Sequence, residues 1–423
     1  MEKQFNTAGP SIPGDHYLLD PLTRVDLAEI ESLIEAKRYF VLHAPRQTGK
    51  TTALLALMEH LNRQGRYRAL YANIETAQAA RGNVAEGMAA IVRALASAAR
   101  HCWHDEAAAQ VALELLGTAG VNDWVRSLLE RWSLADPRPI VLLLDEVDAL
   151  IGDTLISLLR QIRAGYAQRP MAFPQTVVLC GVRDVRDYRI HSGDGEIITG
   201  GSAFNIKAAS IRLGNFSEEE TRSLWLQHTE ATGQRFEEAI WPELWEDTRG
   251  QPWLVNALGH ECTWQDRELR KNRALPVTLE RYKAARERLI QSRATHLDQL
   301  TDKLREPRVH AVISRLLAGG DEAVHDLPSD DLQYVEDLGL IRRIPSAEIS
   351  NRIYREVIPR ELTFSTQYML PQQQAWYVRP ADRRLDMDKL LAAFQQFFRE
   401  NADAWIERFQ YREAGPQLLL QAF

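Results

Sequence analysis

A short segment near the N-terminus brings glycine, lysine and threonine together in an order suited to binding phosphate. It follows the apolar run 39–43, precedes apolar residues at helical spacing, and reads Ala44, Pro45, Arg46, Gln47, Thr48, Gly49, Lys50, Thr51, Thr52. Backbone N–H groups of such a loop can surround a phosphate, and the helix N-terminus adds partial positive charge. Gly49 permits close backbone approach, Lys50 can bridge two phosphates, and the Thr51 hydroxyl can bind magnesium.

This spacing is that of a P-loop, or Walker A motif, with Ala44 in the position of its first glycine. We therefore predict that residues 44–52 bind ATP together with Mg²⁺. The alternative is a chance Gly-Lys-Thr sequence at the start of a helix. The strand predicted before the loop and the helix predicted after it favour the P-loop.

An acidic pair ends a second apolar run. Asp145 and Glu146 directly follow residues 140–144, which are all aliphatic. Charges at the end of a buried strand are costly unless something compensates them. We predict that Asp145, with Thr51, holds the magnesium ion and that Glu146 activates the attacking water, which is the arrangement of a Walker B motif. The alternative is a solvated turn after a strand.

Composition restricts the classes of protein that fit the chain. Its 423 residues suffice for two or three domains. The net charge of −7 gives no long-range attraction for nucleic acid, so any such binding would have to be local. Apolar runs are far shorter than the roughly 20 residues of a membrane-spanning helix. Three widely spaced cysteines indicate reduced thiols, and we predict a cytoplasmic protein without a membrane partner.

Strands alternate with helices over the first half of the chain, which predicts an α/β fold with a parallel sheet. We expect strands at 39–43, 68–74, 140–144, 176–180 and 210–213, and continuous helix from 91 to about 132. From residue 217 the pattern is helical only. The predicted domains are an N-terminal linker (1–26), a P-loop NTPase core (27–214), a helical lid (215–300), a winged-helix-like domain (301–363) and a helical C-terminal segment (364–423).

The later domains are predicted in less detail. We expect a helix over 253–273 in the lid and a helix over 387–407 in the C-terminal segment. In the winged-helix-like domain, helices at 309–317 and 329–338 precede strands at 341–344 and 349–354. Its second helix carries Asp330, Asp331, Glu336 and Asp337, which would repel phosphates, so protein contact is favoured over DNA binding.

Over residues 15–345 the chain resembles the AAA+/STAND group of P-loop ATPases. The resemblance implies that Arg183, after the strand 177–180, is a sensor 1 arginine facing the γ-phosphate. It also implies that Pro252, in Gly250-Gln251-Pro252, rests against the base, and that Arg24 lies in a linker passing over the adenine. Arg183 could instead be a surface residue, and Pro252 only a helix start. Candidates for an arginine finger are Arg160, Arg163, Arg169 and Arg186.

A closer resemblance is to a bacterial AAA-like ATPase family whose members often carry a C-terminal PD-(D/E)XK nuclease-like domain. The similar stretches are 45–51, 183–188, 204–206, 232–234 and 250–256. Residues 412–423 resemble the opening helix of that nuclease-like domain, whose metal-binding residues would lie further on. We expect either a truncated protein or a helix that docks on another molecule.

Three functions follow as hypotheses. The leading one is an ATP-dependent switch, in which the nucleotide state is relayed through the lid and the winged-helix-like domain to a protein partner or to a second copy. The second is an ATPase subunit coupled to a nuclease on DNA, in a defence or mobile-element role. The third is a non-catalytic nucleotide-binding scaffold.

Overall fold

The protein is described by a computed structural model. It covers residues 2–118, 120–184, 189–191, 197–199, 204–292, 295–319, 324–369, 379, 386–392 and 394–396. The chain forms two compact units. The first comprises Met1–Gly233 and Gln251–Asn256, and the second comprises Gln234–Gly250 and Ala257–Phe423. The predicted domain boundaries do not coincide with this division and stay predictions.

A five-stranded sheet organises the first unit. Its strands are β1 (Tyr39–His43), β2 (Arg68–Asn73), β3 (Ile140–Asp145), β4 (Thr176–Gly181) and β7 (Lys207–Arg212). Their order in the sheet is β2-β3-β4-β1-β7, and every neighbouring pair is parallel. The parallel α/β fold predicted from the sequence is confirmed. Burial on both faces explains why β3 and β4 are continuous apolar runs rather than alternating ones.

The edge strand β7 differs from the prediction. It was expected at 210–213, but it comprises Lys207–Arg212. The alternating burial of β7 fits a strand at the edge of the sheet, where one face is less covered. A separate antiparallel pair is formed by β5 (Arg189–His191) and β6 (Ile197–Thr199).

Helices cover both faces of the sheet. One face carries α1 (Leu27–Glu35) and α2 (Lys50–Gln64), and the other carries α3 (Val84–Cys102), α4 (Glu106–Thr118), α5 (Trp124–Ala135) and α6 (Gly152–Ala164). The continuous helix expected over 91–132 is wrong. The chain breaks after Cys102, and the Asp105 side chain accepts the Ala108 N–H at the start of α4. A capping residue therefore starts a new helix within a sequence whose residue types favour helix throughout.

The N-terminal segment packs within the first unit against α7 (Glu218–Thr232). Phe5 and Tyr17 are both buried, with ring centroids 5.0 Å apart. The Tyr17 hydroxyl lies 3.0 Å from His228 Nδ1, and both the N–H and the C=O of Leu18 bond to the side-chain amide of Gln227. These contacts hold residues 5–18 in a defined path despite their glycine and proline content.

The second unit is mainly helical. Its helices begin with α8 (Ile240–Thr248), and the chain then passes through α9 (Pro252–His260), whose first five residues belong to the first unit. Further helices are α10 (Arg267–Lys271), α11 (Leu279–Gln291), α12 (Thr295–Leu304), α13 (Pro307–Gly319), α14 (Ser329–Asp337) and α15 (Arg352–Met369). The helix expected over 253–273 is interrupted. A π-helical turn follows α9 at Glu261–Gln265, and a new helix, α10, then begins after Asp266, whose side chain caps it.

The region predicted as a winged helix contains α13, α14 and a short antiparallel pair of β8 (Ile341–Arg342) and β9 (Glu348–Ile349). The strand expected over 349–354 is wrong beyond Ile349, since α15 begins at Arg352 with Asn351 accepting the Tyr354 N–H. Residues 387–392 and 394–396 are helical within the predicted helix 387–407. The segment 412–423 lies outside the described residues. No helix in the described part of the chain is long and apolar enough to cross a membrane.

Candidate nucleotide site

The loop between β1 and α2 has the backbone of a phosphate cradle. Gly49 directly precedes α2 and has φ of +93°, and Gln47 has φ of +57°, so both curl the chain back on itself. The Thr48 hydroxyl donates to the Pro45 carbonyl at 2.7 Å, which tightens the loop. No side chain caps α2 at Gly49. The N–H groups of its first turn, which lack intrahelical acceptors, therefore suit an anion.

Lys50 places its ammonium group inside this loop. The residue is 6% exposed, and its Nζ donates to the carbonyl oxygens of Ala44 and Pro45, each at 3.0 Å. Two neutral carbonyl groups accept from the ammonium, and its charge is compensated only in part, through its interaction with Glu146. Phosphate oxygens would supply that compensation, which is the chemistry predicted for Lys50.

The carboxylate of Asp145, at the end of β3, meets the hydroxyl of Thr51, at the start of α2. Asp145 is fully buried, and Thr51 Oγ1 donates to its Oδ2 at 2.7 Å. The structure thus brings together the two residues predicted to bind magnesium. A carboxylate and a hydroxyl are hard oxygen ligands of the kind Mg²⁺ binds while keeping several waters, so the donor set fits that ion.

The backbone of Glu146 adopts an unusual conformation. Its φ of +60° places it in the left-handed region, which a non-glycine residue adopts only where the surroundings enforce it. The Glu146 N–H donates to Asp145 Oδ1 at 3.0 Å. Burial raises the pKa of the Glu146 carboxyl, the nearby charge of Asp148 raises it further, and Lys50 opposes the shift. A carboxyl with a raised pKa is a better proton acceptor than an exposed one, as a general base requires.

Arg24 reaches the phosphate loop from the N-terminal segment. Its Nη1 donates to the Thr48 carbonyl and its Nη2 to the Gly214 carbonyl, both at 2.6 Å, and the guanidinium lies over the Phe216 ring. Burial lowers the pKa of Arg24 to about 10, so it is still charged at neutral pH. Arg24 therefore fixes the loop backbone, a contact that the predicted role beside the adenine did not include.

A pocket opens beside the loop, and all of its lining lies within the first unit. It is bounded by Asn6, Thr7, Ala8, Gly9, Ser11, Tyr17, Leu18, Leu19, Pro21, Arg24, Gln47, Gly49, Thr52, Phe216, Leu224, Pro252, Trp253 and Asn256. The N-terminal wall is held in place by two bonds, from Ser11 N–H to Thr52 Oγ1 and from Trp253 Nε1 to the Thr7 carbonyl. Pro252 and Arg24, predicted to be near the nucleotide, thus share a pocket with Gly49.

Comparison with known proteins agrees with this geometry. Residues 34–188 match a protein family described as "AAA domain", a span that includes the phosphate loop, Asp145 and Glu146. The chain carries an AAA-type P-loop domain. No curated protein matches the chain.

The similarity to solved structures covers more of the chain than the AAA domain does. The Walker-type ATPase PABY2304 of Pyrococcus abyssi has 14% sequence identity and a TM-score of 0.56, with 84% of this chain and 99% of that chain covered. The ORC2 protein of Aeropyrum pernix has 13% identity and a TM-score of 0.48, covering 80% and 94%. Cdc6p of Pyrobaculum aerophilum has 14% identity and a TM-score of 0.42, covering 81% and 93%. At these identities, the first likeness supports the fold alone.

Arg183 lies in the AAA domain just after β4, and it is half-buried. The next residue, Asp184, forms a buried ion pair with Lys207 at the start of β7, which ties the end of β4 to the sheet edge. The role of Arg183 toward the γ-phosphate stays a prediction. Among the arginine-finger candidates, Arg169 stacks on Tyr166 and donates to its carbonyl at 2.6 Å, so its guanidinium is engaged within its own chain. Arg186 lies outside the described residues.

Two residues of the site were missed at the sequence level. The Tyr71 hydroxyl donates to Asp145 Oδ2 at 3.0 Å, and burial together with the Asp145 charge raises its pKa. The register of β2 against β3, in which Asn73 pairs with Asp145, brings Tyr71 near the acid. Asn256 lines the pocket one turn after Pro252. Helical spacing from Pro252 was the one sequence signal that could have indicated Asn256.

Proposed function

We propose that the chain binds ATP with Mg²⁺ and hydrolyses it. One observation carries the proposal: Thr51 and Asp145 meet at 2.7 Å beside the buried ammonium of Lys50, at the uncapped start of α2. An ammonium group, a hydroxyl and a carboxylate at a helix N-terminus are the groups that bind a nucleoside triphosphate and its metal ion in P-loop proteins. The similarity of residues 34–188 to AAA domains supports the same reading.

Each residue has a defined part in the proposed reaction. The loop N–H groups and Lys50 hold the β- and γ-phosphates, while Thr51 and Asp145 position the magnesium ion. A magnesium ion held there would supply charge neutralisation for the phosphates. Glu146, with its raised pKa, accepts a proton from the attacking water. Arg183 is proposed to contact the γ-phosphate.

We further propose that hydrolysis serves a STAND-like switch. Pro252 and Trp253 line the pocket, and the chain leads back from them to Asp247 in α8. In the second unit, Asp247 bonds with Arg352 at the start of α15, so the chain that follows this charged cluster continues directly into the residues that line the pocket. The acidic helix α14 favours a protein partner, or a second copy of the chain, over DNA, and we expect the protein in the cytoplasm.

The decisive experiment compares the wild-type chain with Lys50→Ala and Glu146→Gln. We expect Lys50→Ala to lose ATP binding, and Glu146→Gln to retain binding but release phosphate at least 100-fold more slowly. Unchanged phosphate release in both variants would exclude hydrolysis at this site, and ATP binding without release in the wild type would leave the scaffold hypothesis. Stimulation of the wild-type rate by DNA would instead favour the subunit that acts with a nuclease.

A further inference from the structure

Tyr71 brings a hydroxyl group from strand β2 to the carboxylate at the end of strand β3. In the register of these strands, Tyr71 lies opposite Leu143, and Asn73 lies opposite Asp145. Asp145 is therefore a diagonal neighbour of Tyr71, at a separation that an aromatic side chain can bridge. The Tyr71 hydroxyl donates to Asp145 Oδ2 at 3.0 Å. A predicted magnesium ligand is thus contacted from a strand outside the two predicted motifs.

The surroundings of Tyr71 hold its ring in position. The ring is partly buried and packs against the apolar cluster between this face of the sheet and the helices α1 and α2. Asn73, although directly opposite Asp145, is exposed, and its side-chain oxygen accepts the Glu75 N–H at 2.8 Å. The hydroxyl of Tyr71 is therefore presented to Asp145 by a ring that is fixed in the core.

The carboxylate of Asp145 accepts hydrogen bonds at both of its oxygens. Oδ2 accepts from the Thr51 hydroxyl at 2.7 Å and from Tyr71, and Oδ1 accepts from the Glu146 N–H at 3.0 Å. Because a threonine hydroxyl has one hydrogen, which Thr51 uses here, its remaining lone pairs are directed away from Asp145 and can bind a metal ion. Donors at both oxygens restrict rotation of the carboxylate, so Asp145 and Thr51 keep one relative orientation.

The donors to Asp145 differ in what the proposed reaction asks of them. Thr51 is itself a proposed metal ligand, and Glu146 is the proposed base, whereas the reaction gives Tyr71 no part of its own. Groups that bond to a metal-binding carboxylate orient it, and their loss typically lowers metal affinity or activity about 10- to 100-fold. A hydroxyl placed on Asp145 by a fixed ring has the geometry for that role.

We propose that Tyr71 is a positioning residue, which holds Asp145 in the orientation that binds the magnesium ion of a Mg²⁺–ATP complex. The inference rests on the proposed binding of ATP with Mg²⁺, and it adds a residue of β2 to that site. Tyr71 acts through Asp145 and contacts neither nucleotide nor metal in this role.

The test measures how much Mg²⁺ strengthens the binding of a non-hydrolysable ATP analogue to the full chain. The Kd is determined in EDTA and in excess Mg²⁺, and the ratio of the two values is the gain from the metal. Tyr71→Phe keeps the ring and removes the hydroxyl. We expect it to lower this gain about tenfold, or to abolish a smaller wild-type gain, while the Kd in EDTA stays within about twofold of wild type.

Tyr39→Phe is a matched control in the same sheet. Tyr39 is a fully buried residue of β1, and its hydroxyl donates to the Pro174 carbonyl at 2.9 Å. This variant also loses one hydroxyl hydrogen bond, but not one to Asp145, so it should keep the wild-type gain. In a second check, Tyr71→Phe added to Asp145→Asn should not lower the gain below that of Asp145→Asn alone, since Tyr71 acts through that carboxylate.

The possible outcomes separate this inference from the proposed function. Loss of one hydrogen bond to a charged group costs about 1.5–3 kcal/mol, less than the stability of a typical domain, so Tyr71→Phe should fold, and thermal unfolding checks this. An unchanged or larger gain in Tyr71→Phe, an equal fall in Tyr39→Phe, or a matching loss of affinity in EDTA would overturn the inference while wild-type ATP binding stands. A wild type that does not bind the analogue would overturn the proposed function as well.

Discussion

Thr51 Oγ1 and Asp145 Oδ2 are joined by a 2.7 Å hydrogen bond between residues that are 94 positions apart in the chain. The bond holds the start of α2 against the end of β3, so the two predicted magnesium ligands are already in place. The Tyr71 hydroxyl adds a second donor to the same carboxylate oxygen. Both donors compensate part of the cost of burying the charge of Asp145.

The first prediction concerns the hydroxyl of Thr51. Thr51→Ala removes the metal ligand but leaves the helix start intact, so we expect the affinity for ATP in the presence of Mg²⁺ to fall at least tenfold. Thr51→Ser keeps a hydroxyl and should stay within about threefold of wild type. Titration of nucleotide with Mg²⁺ and with EDTA measures the effect. Equal Mg²⁺ dependence in Thr51→Ala and wild type would contradict the assignment.

The second prediction concerns the pH dependence at Glu146. Because its pKa is raised, the carboxylate needed as a base is depleted below that pKa, so the hydrolysis rate should rise with pH through it. Stability depends on pH in the opposite direction: burial favours the protonated form of Glu146, and this stabilising contribution is lost as the pH rises through the folded-state pKa. Glu146→Gln should therefore be at least as stable as wild type at neutral pH.

Two measurements check Glu146. Single-turnover hydrolysis across pH 5–8 gives the rate profile, and thermal unfolding of Glu146→Gln at neutral pH gives the stability. A flat wild-type profile would argue against a titrating base, and a large loss of thermal stability in Glu146→Gln would attribute its low rate to misfolding rather than to chemistry.

The third prediction compares two glycines with positive φ. Gly49→Ala suffers backbone strain at φ of +93°, and its new Cβ would meet Arg24 Nη1 at 2.8 Å. Gly65→Ala, at φ of +70°, meets nothing within 4 Å. We expect each variant to lose about 1 kcal/mol of unfolding free energy from backbone strain. Gly49→Ala should lose more, because the guanidinium must move.

Chemical denaturation of both glycine variants gives the free energies, and nucleotide titration gives the affinities. Gly65→Ala, at the far end of α2, should bind ATP as wild type does, whereas Gly49→Ala should not. Equal destabilisation and equal affinity in the two variants would show that Arg24 does not hold the loop.

The fourth prediction concerns the buried charge of Asp247 in the second unit. Asp247 is fully buried, accepts from the Tyr282 hydroxyl at 2.8 Å and from Arg352 Nε at 2.6 Å, and lies 3.1 Å from Arg286 Nε. Asp247→Ala would leave the buried Tyr282 hydroxyl without its acceptor and remove one carboxylate from Arg286 and Arg352, which keep Glu356 and Glu243. We therefore expect a loss of about 2 kcal/mol, measured by urea denaturation. Arg305→Ala breaks an exposed pair with Asp302 and should cost less than about 1 kcal/mol.

Local patterns in the sequence were sufficient to predict the parallel sheet, because each strand is recognised from its own residues. The same patterns located the loop 44–52, Asp145 and Glu146 at strand ends, and their roles toward a nucleotide stay predictions. The break after Cys102 was missed because Asp105, which caps the next helix, is flanked on both sides by residues that favour helix. The edge strand β7 was predicted to begin three residues too late because Lys207 and the two alanines after it are not β-branched or aromatic residues, which favour strands.

Contacts between distant segments explain the remaining differences. Arg24 bonds to Thr48 and Gly214 only after the first unit has folded, so no spacing in the sequence indicates both partners. Tyr71 depends on the register between two strands, and the orientation of the Asn256 amide depends on one turn of α9. Such properties belong to packing rather than to a motif.

The bond between Trp253 Nε1 and the Thr7 carbonyl joins positions 246 residues apart and closes one wall of the pocket. During translation, residue 7 leaves the ribosome long before Trp253 is made. The strands and helices around the phosphate loop can therefore emerge before this wall exists, and the pocket is complete only once α9 has emerged. An affinity tag fused ahead of Phe5, which is itself buried, would sit beside this late-closing wall, so tags belong elsewhere on the chain.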